Sequence, residues 1–475
     1  MPKPQAKIHA PQFLLNALQR FIKNSEKIKQ IHSLLTTNGN LLITSGWTNT
    51  LLYNCLIRAY LSLSQPQTTL ILFRHMLAHT APPNNLTFPS LIKAAASLLP
   101  PYASLVGRPL RAQTLKRGVS DDPFVQTSFI SLCAHLGDLD GARKVFDEIL
   151  QPCVVSCNAM LDAFGKCGNM DSAVLMFSGM SRRDVFSWTS VISGYARNGR
   201  FGEAMGIFGK MMVDEDVSVG VLKPNEATFV TVLSCCANFE GGRALYHGKQ
   251  IHGYMVKNEN KLSVFMGTAL IAFYGKMGCF NYANKLFGRM MVREVCTWNA
   301  MISSLALNGR EKDALDMFIR MRTGGFCPNE VTFVGVLSAC ARAKLVDLGL
   351  EFFHSMQRQF GIVPRMEHYG CVVDLLGRAG LLREAYEFME WMPFEADASV
   401  LGALLGACRI HGATDLANEV GLRLCKLQPQ HCGRYVQLSS IYAGAESWDN
   451  AAALRKLMTD AGIHKIPAYS TIHQQ

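Results

Sequence analysis

Gly309, Ala314, Phe318 and Met321 stand at offsets that recur as Gly168, Ala173, Phe177 and Met180, as Gly199, Ala204, Phe208 and Met211, and as Gly278, Ala283, Phe287 and Met290. Altered copies lie at Gly137, Ala142, Phe146 and Ile149 and at Gly380, Ala385, Met389 and Met392. A ladder repeated in this way is the mark of an array, in which each unit is one supersecondary element that buries its faces only against its neighbours. A chain of 475 residues exceeds one ordinary core, so an elongated stack is the architecture to expect.

The unit can be read from residues 295–329. Met301, Ile302 and Leu305 form an apolar face closed by Asn308-Gly309, and Ala314, Leu315, Phe318 and Met321 form a second that ends before Gly324-Gly325. Apolar residues at helical spacing with glycine at the end read as two helices joined by a tight turn. Glycine allows the left-handed turn, alanine lets the helices approach, and Phe and Met fill the seam to the next hairpin. The product is an all-α fold, an α-solenoid of stacked helix-turn-helix repeats.

The turn glycines Gly137, Gly168 and Gly199 are 31 apart (168−137, 199−168), as are Gly278 and Gly309, whereas Gly199 and Gly278 are 79 apart. That gap holds a longer unit at 226–263, opened by Glu226-Ala227-Thr228-Phe229. Residues 330–365 and 85–122 open alike, with Glu330-Val331-Thr332-Phe333 and Asn85-Leu86-Thr87-Phe88. Units of three lengths therefore rotate.

Lys and Arg number 47 against 36 Asp and Glu, and the net charge of +11 suits a polyanionic partner, either nucleic acid or a membrane surface. No apolar run is long enough to span a bilayer, and no membrane partner is expected. The 15 cysteines scatter singly, and several, such as Cys157, Cys296 and Cys371, stand where repeat cores are expected. Buried thiols in a reducing compartment account for them. Before the first acidic residue, Glu26, lie Lys3, Lys7, Arg20 and Lys23, with Phe13, Leu14, Leu15, Leu18, Phe21 and Ile22 on a helical pattern. Two readings stand: an organellar transit peptide, or the helix that opens the array.

With this rotation of lengths the chain resembles a plant pentatricopeptide repeat (PPR) protein of the PLS subclass, in which P, L and S motifs alternate. The resemblance implies a right-handed superhelix. It divides the chain into an N-terminal segment 1–49 with a partial repeat, an array 50–397, an E domain of two repeat-like motifs at 398–465 and a tail 466–475. Within the array the P motif 50–84 is followed by L at 85–122, S at 123–153 and a further short motif at 154–184. A second P motif, 185–225, carries an insertion around Asp214–Gly220, and L, S, P, L and S motifs follow at 226–263, 264–294, 295–329, 330–365 and 366–397.

Asp374-Leu375-Leu376-Gly377-Arg378-Ala379-Gly380 resembles the last S motif of such arrays. Leu401-Gly402-Ala403-Leu404-Leu405-Gly406-Ala407-Cys408-Arg409-Ile410-His411-Gly412 resembles the opening of the E domain, with Leu401 where the family usually has Trp. Ile466-Pro467-Ala468-Tyr469-Ser470 copies only part of the family's Pro-Gly-Cys-Ser-Trp segment.

The resemblance also implies a site. PPR motifs read single-stranded RNA one base per repeat through a few side chains, here the fifth and last residues of each motif. Carried over, Asn54 with Asn84 resembles a pyrimidine reader, Thr127 with Cys153 leans to purine, and Asn158 with Asp184 resembles a uridine reader. Thr189 with Asn225 resembles an adenine pair, Thr268 with Glu294 leans to purine, and Asn299 with Asn329 resembles another pyrimidine pair. Pro89, Val230 and Val334 occupy the fifth position of the L motifs, where no base edge is read. The implied target runs pyrimidine, any, purine, U, A, any, purine, pyrimidine, any, any. Leu51, Phe124, Val155, Phe186, Phe265 and Cys296, each second in its motif, are expected to flank the bases. The competing accounts are core packing for these apolar residues and helix capping for the fifth-position Asn and Thr.

A zinc cytidine deaminase needs His-x-Glu and Cys-x-x-Cys. None of the 13 histidines has Glu two residues on, and Cys-x-x-Cys is absent, so no catalysis and no cofactor are expected of this chain. His75 and His79 have the spacing of a zinc helix, but Met76 stands where its glutamate would be, and a solvated flank is expected there. The implied role is a site-recognition factor for C-to-U editing of organellar transcripts, in mitochondria or alternatively chloroplasts. A DYW-type cytidine deaminase and other editing factors then act in trans through the E domain. The alternatives are transcript stabilisation, processing or splicing without editing, and a protein-binding scaffold.

Overall fold

The computed structural model describes residues 11–22, 24–39, 41, 46–213, 223–239, 243–259 and 261–465. Among them every regular element is an α-helix. Contacts divide the chain into two compact units, Met1–Val232 and Leu233–Gln475. The insertion expected at 214–220 and the tail 466–475 lie outside the described residues.

In the first unit the hairpins are Gly46–Ser62 with Pro66–Ala78, Phe88–Ala96 with Pro100–Lys116, Pro123–His135 with Leu139–Asp147, Val154–Lys166 with Met170–Gly179, and Val185–Arg197 with Phe201–Val213. In the second they are Val264–Lys276 with Phe280–Arg289, Val295–Leu307 with Glu311–Thr323, Glu330–Ala343 with Val346–Phe360, and Met366–Ala379 with Leu382–Glu390. Ala398–His411 with Thr414–Leu427 and Cys432–Gly444 with Trp448–Asp460 complete it. Within each unit, first helices of consecutive hairpins lie side by side, as Val154–Lys166 does between Pro123–His135 and Val185–Arg197.

The ladder explains the hairpin. All six turn glycines adopt a left-handed backbone, with φ from +70° at Gly199 to +89° at Gly380. The N–H after each glycine donates to the carbonyl five residues back, for example Arg310 to Leu305 at 3.0 Å and Leu381 to Leu376 at 3.0 Å. This bond closes the first helix on carbonyls that would otherwise be unpaired. The six ladder alanines, Ala142, Ala173, Ala204, Ala283, Ala314 and Ala385, are all 0% exposed.

Second-helix length sets the three repeat lengths. It is 9 or 10 residues in Leu139–Asp147, Met170–Gly179, Phe280–Arg289 and Leu382–Glu390, 13 in Phe201–Val213 and Glu311–Thr323, and 15 to 17 in Val346–Phe360 and Pro100–Lys116. Where the helix is short, Met180 and Met290 turn extended as its C-caps and are half-buried, whereas Met211 and Met321 remain in the core. Arg183 and Arg293 replace the missing turn. Each donates to the carbonyl of the ladder Phe, Arg183 to Phe177 at 2.9 Å and Arg293 to Phe287 at 3.0 Å, while lying over its ring.

Successive hairpins meet through aromatic edges. Phe73 meets Phe88, Phe177 meets Trp188, Phe287 meets Trp298 and Phe318 meets Phe333, with ring centroids 4.8–6.0 Å apart and T-shaped geometry. In each pair a ladder Phe packs on the fourth residue of the next motif, an arrangement favoured by the ring quadrupoles. Long second helices approach the next motif through glycine. A Cβ on Gly107, Gly248 or Gly349 would fall 2.8, 1.9 or 2.3 Å from Leu132, Phe273 or Leu375.

Two expectations change. Cys157, Cys296 and Cys371 are only half-buried. The fully buried thiols are Cys235, Cys236, Cys340, Cys408 and Cys425. His79 accepts no metal-like environment but hydrogen-bonds Tyr53 through Nδ1 at 2.7 Å, so it is tied into the hairpin rather than free in solvent. The N-terminal pattern forms helix Pro11–Arg20, whose Leu14, Leu15 and Leu18 are buried, and the helix packs on Gly46–Ser62.

Candidate nucleic-acid interface

The fifth residue of a motif lies one turn into its first helix, and the last residue caps the helix of the next motif. Stacking brings the two together. Asn299 Nδ2 donates to Asn329 Oδ1 at 3.0 Å, and Asn329 Oδ1 also accepts the backbone N–H of Thr332 at 3.1 Å. Asn54 Nδ2 donates to Asn84 Oδ1 at 3.1 Å, and Asn158 Nδ2 donates to Asp184 Oδ1 at 3.0 Å. Asp184 accepts the N–H of Ser187 at 2.8 Å. Capping therefore belongs to the last residue, not to the fifth as the sequence suggested.

Two further pairs join through an intermediary. Thr189 Oγ1 lies 2.7 Å from Thr228 Oγ1, which donates to Asn225 Oδ1 at 2.9 Å. Thr268 Oγ1 lies 2.9 Å from Thr297 Oγ1, which accepts from the N–H of Glu294 at 3.4 Å. Thr127 and Cys153 are not joined. Thr127 Oγ1 donates to the Pro123 carbonyl at 2.6 Å, and Cys153 stands exposed at the start of the next helix.

Sequence reasoning missed the hydroxyls that complete these contacts. Thr87, Ser187, Thr228, Thr297 and Thr332, each third in its motif, are 0% exposed. Their signal was a Ser or Thr three residues after a capping side chain, as in Asn329-Glu330-Val331-Thr332.

The second positions flank this row. Phe124, Val155, Phe186 and Phe265 are 67, 55, 64 and 53% exposed, which rules out core packing for them. Leu51 and Cys296 are half-buried. Leu86 and Val331, at the same register of L motifs, are also exposed, at 50 and 56%. Pro89, Val230 and Val334, the fifth residues of those motifs, are half-buried and carry no polar side-chain atom. The motif 154–184 combines an exposed apolar second residue, Val155, with a direct polar pair, Asn158 and Asp184, and the other motifs carry one of these features or a pair joined through a hydroxyl. An exposed apolar side chain suits a base face, and a polar pair suits a base edge.

Among the described residues no three His, Cys, Asp or Glu side chains converge as a metal site would need, and no helix is long and apolar enough to cross a membrane. Thiol chemistry separates the interface from the core. The backbone N–H of Ser156 holds the Cys153 thiol below its ordinary range, whereas burial pushes Cys340 and Cys408 up to about 11 and Cys236 to about 12. Brief alkylation at mildly alkaline pH, followed by peptide mass mapping, is expected to label Cys153 well before Cys236, Cys340 and Cys408, since the thiolate is the reactive form. Uniform labelling of the native protein would contradict this burial.

Comparison with known proteins places the chain. The profile of the PPR repeat matches residues 127–151, 155–185, 186–215, 268–295 and 331–359, that of the PPR repeat family matches 293–342, and that of the E motif matches 411–473. A pentatricopeptide repeat-containing protein of Arabidopsis thaliana is 52% identical over 458 residues, covering 96% of this chain and 96% of its own length. The chain belongs to the pentatricopeptide repeat family. Two further PPR proteins of Arabidopsis thaliana are each 34% identical across 75% of this chain; the one described as chloroplastic is covered over 48% of its length, and the one described as mitochondrial over 56%. The solved PPR10 from maize is similar with a TM-score of 0.40 and 18% identity, covering 97% of this chain and 74% of that one. The E-motif match begins at His411 and extends through the tail, so it starts and ends later than the stretch 398–465 read from the sequence.

Proposed function

We propose that this PPR protein binds single-stranded RNA in a sequence-specific way and selects cytidines for C-to-U editing of organellar transcripts. The observation that carries the reading is a fifth residue hydrogen-bonded directly to the last in three motifs, Asn54 to Asn84, Asn158 to Asp184 and Asn299 to Asn329, in a row with the exposed apolar second residues Phe124, Val155, Phe186 and Phe265. A packed scaffold has no need to repeat a polar pair at the same register. RNA with unstacked bases offers one edge and one face per nucleotide to such a row. The net charge of +11 supplies the long-range attraction to phosphates.

The alternation of three motif lengths and the E motif favour editing over transcript stabilisation or splicing. The deaminase is supplied by another chain, of the DYW type, docking with other editing factors at the E motif. Leu422, Leu427, Trp448 and Leu457, 44 to 65% exposed on the E-motif helices, offer apolar surface for a protein partner. The organelle is the mitochondrion, with the chloroplast as the alternative; the acid-poor stretch before Glu26 favours an organelle over the cytosol.

Sequencing organellar RNA from plants with and without the protein tests this reading. Loss of editing at one or a few cytidines, each a short distance downstream of a sequence matching the implied string, is the expected result. Unchanged editing with altered transcript ends would favour the stabilisation reading instead.

A further inference from the structure

We infer that the buried hydroxyl at the third position of the following motif is a positioning residue for base recognition, because it fixes which way the fifth-position amide faces. The inference rests on the RNA-binding reading above. An asparagine amide has a donor and an acceptor end, and rotating it by half a turn exchanges them. A base edge distinguishes those ends, so a reader whose amide is free to turn cannot discriminate.

At Asn299 both ends of the amide are engaged. Thr332 Oγ1 approaches Asn299 Oδ1 at 2.6 Å and donates to it, while Asn299 Nδ2 donates to Asn329 Oδ1 at 3.0 Å. Thr332 is itself held, since its Oγ1 accepts the N–H of Asn329 at 3.0 Å and its side chain is 0% exposed. Turning the amide over would take from Thr332 Oγ1 its nearer acceptor, leaving it Asn329 Oδ1 at 3.0 Å, and would set two oxygens facing each other between Asn299 and Asn329. Thr87 repeats the arrangement, donating to Asn54 Oδ1 at 2.7 Å and accepting from Asn84 N–H at 3.1 Å. In both registers the oxygen accepts a bond from inside the protein, and one amide N–H is left over.

The register of Asn158 differs by one bond. The third-position residue there is Ser187, whose hydroxyl donates to Asp184 at 2.9 Å, and Asn158 Oδ1 is buried with no hydrogen-bond partner. The same residue type at the same position thus has an amide oxygen that no third-position hydroxyl holds. Reading therefore uses three residues, of which the third belongs to the next repeat, and the fifth and last residues alone do not fix the polarity.

The test uses the full-length protein and a single-stranded RNA written from the implied string, with its eighth nucleotide varied among the four bases. Wild type is expected to favour pyrimidine there. Thr332→Val, nearly isosteric but without the hydroxyl, is expected to lower that discrimination about fivefold, the weight of one neutral hydrogen bond. Thr332→Ser is expected to restore it. A role confined to stability would weaken all four RNAs equally and leave their ratio unchanged, which would overturn the inference while leaving RNA binding intact. Failure of the wild type to bind any of the four would overturn the RNA-binding reading itself.

Discussion

Gly248→Val is expected to be among the most damaging single substitutions in the second unit. The Cβ would lie 1.9 Å from Phe273 Cζ and 2.4 and 2.6 Å from its Cε atoms, and Phe273 is 1% exposed. Helix Ala244–Asn258 would have to lift from Val264–Lys276 or Phe273 leave its rotamer, and overpacking of this kind costs about 3 kcal/mol. Gly253, in the same helix, supplies the control. No atom lies within 4 Å of its added Cβ, so Gly253→Ala is expected to stabilise by about 0.5–1 kcal/mol through helix propensity alone. Denaturant midpoints of the two variants check the prediction, and equal midpoints would show that the glycine contact does not set the junction.

Asp184→Asn carries the second large effect, on recognition rather than stability. Asparagine caps a helix as well as aspartate does, so the bond from the Ser187 N–H survives and stability should stay within about 0.5 kcal/mol. The change replaces a carboxylate oxygen by an N–H donor beside Asn158. A base donor that paired with the carboxylate now faces a donor, and hydrogen bonds to charged groups weigh about 1.5–3 kcal/mol. Preference for U over C at the fourth nucleotide is expected to fall about tenfold, measured by competition between RNAs that differ only there. An unchanged ratio would remove Asp184 from the reading set.

The hairpin was legible in the sequence because its causes are local. A left-handed turn needs glycine and a close crossing needs alanine, and both follow from backbone sterics within a dozen residues. The aromatic seams, such as Phe287 on Trp298, were half legible: the Phe was in the ladder, but its partner belongs to the next motif. The contacts of Thr332 with Asn299 were not legible, although the cap spacing before Thr332 was plain. They arise only when neighbouring first helices stack. Cys157, Cys296 and Cys371, which apolar counting assigned to the core, are half-buried.

Selection of bound sequences from a random pool of single-stranded RNA tests the central claim most directly. The account predicts enrichment of a string with U then A at the fourth and fifth places, pyrimidine at the first and eighth, and little preference at the second, sixth and ninth, where Pro89, Val230 and Val334 stand at the fifth position of their motifs. Enrichment without that spacing, or strong preference at the three apolar registers with none at those of Asn54, Asn158 and Asn299, would contradict it.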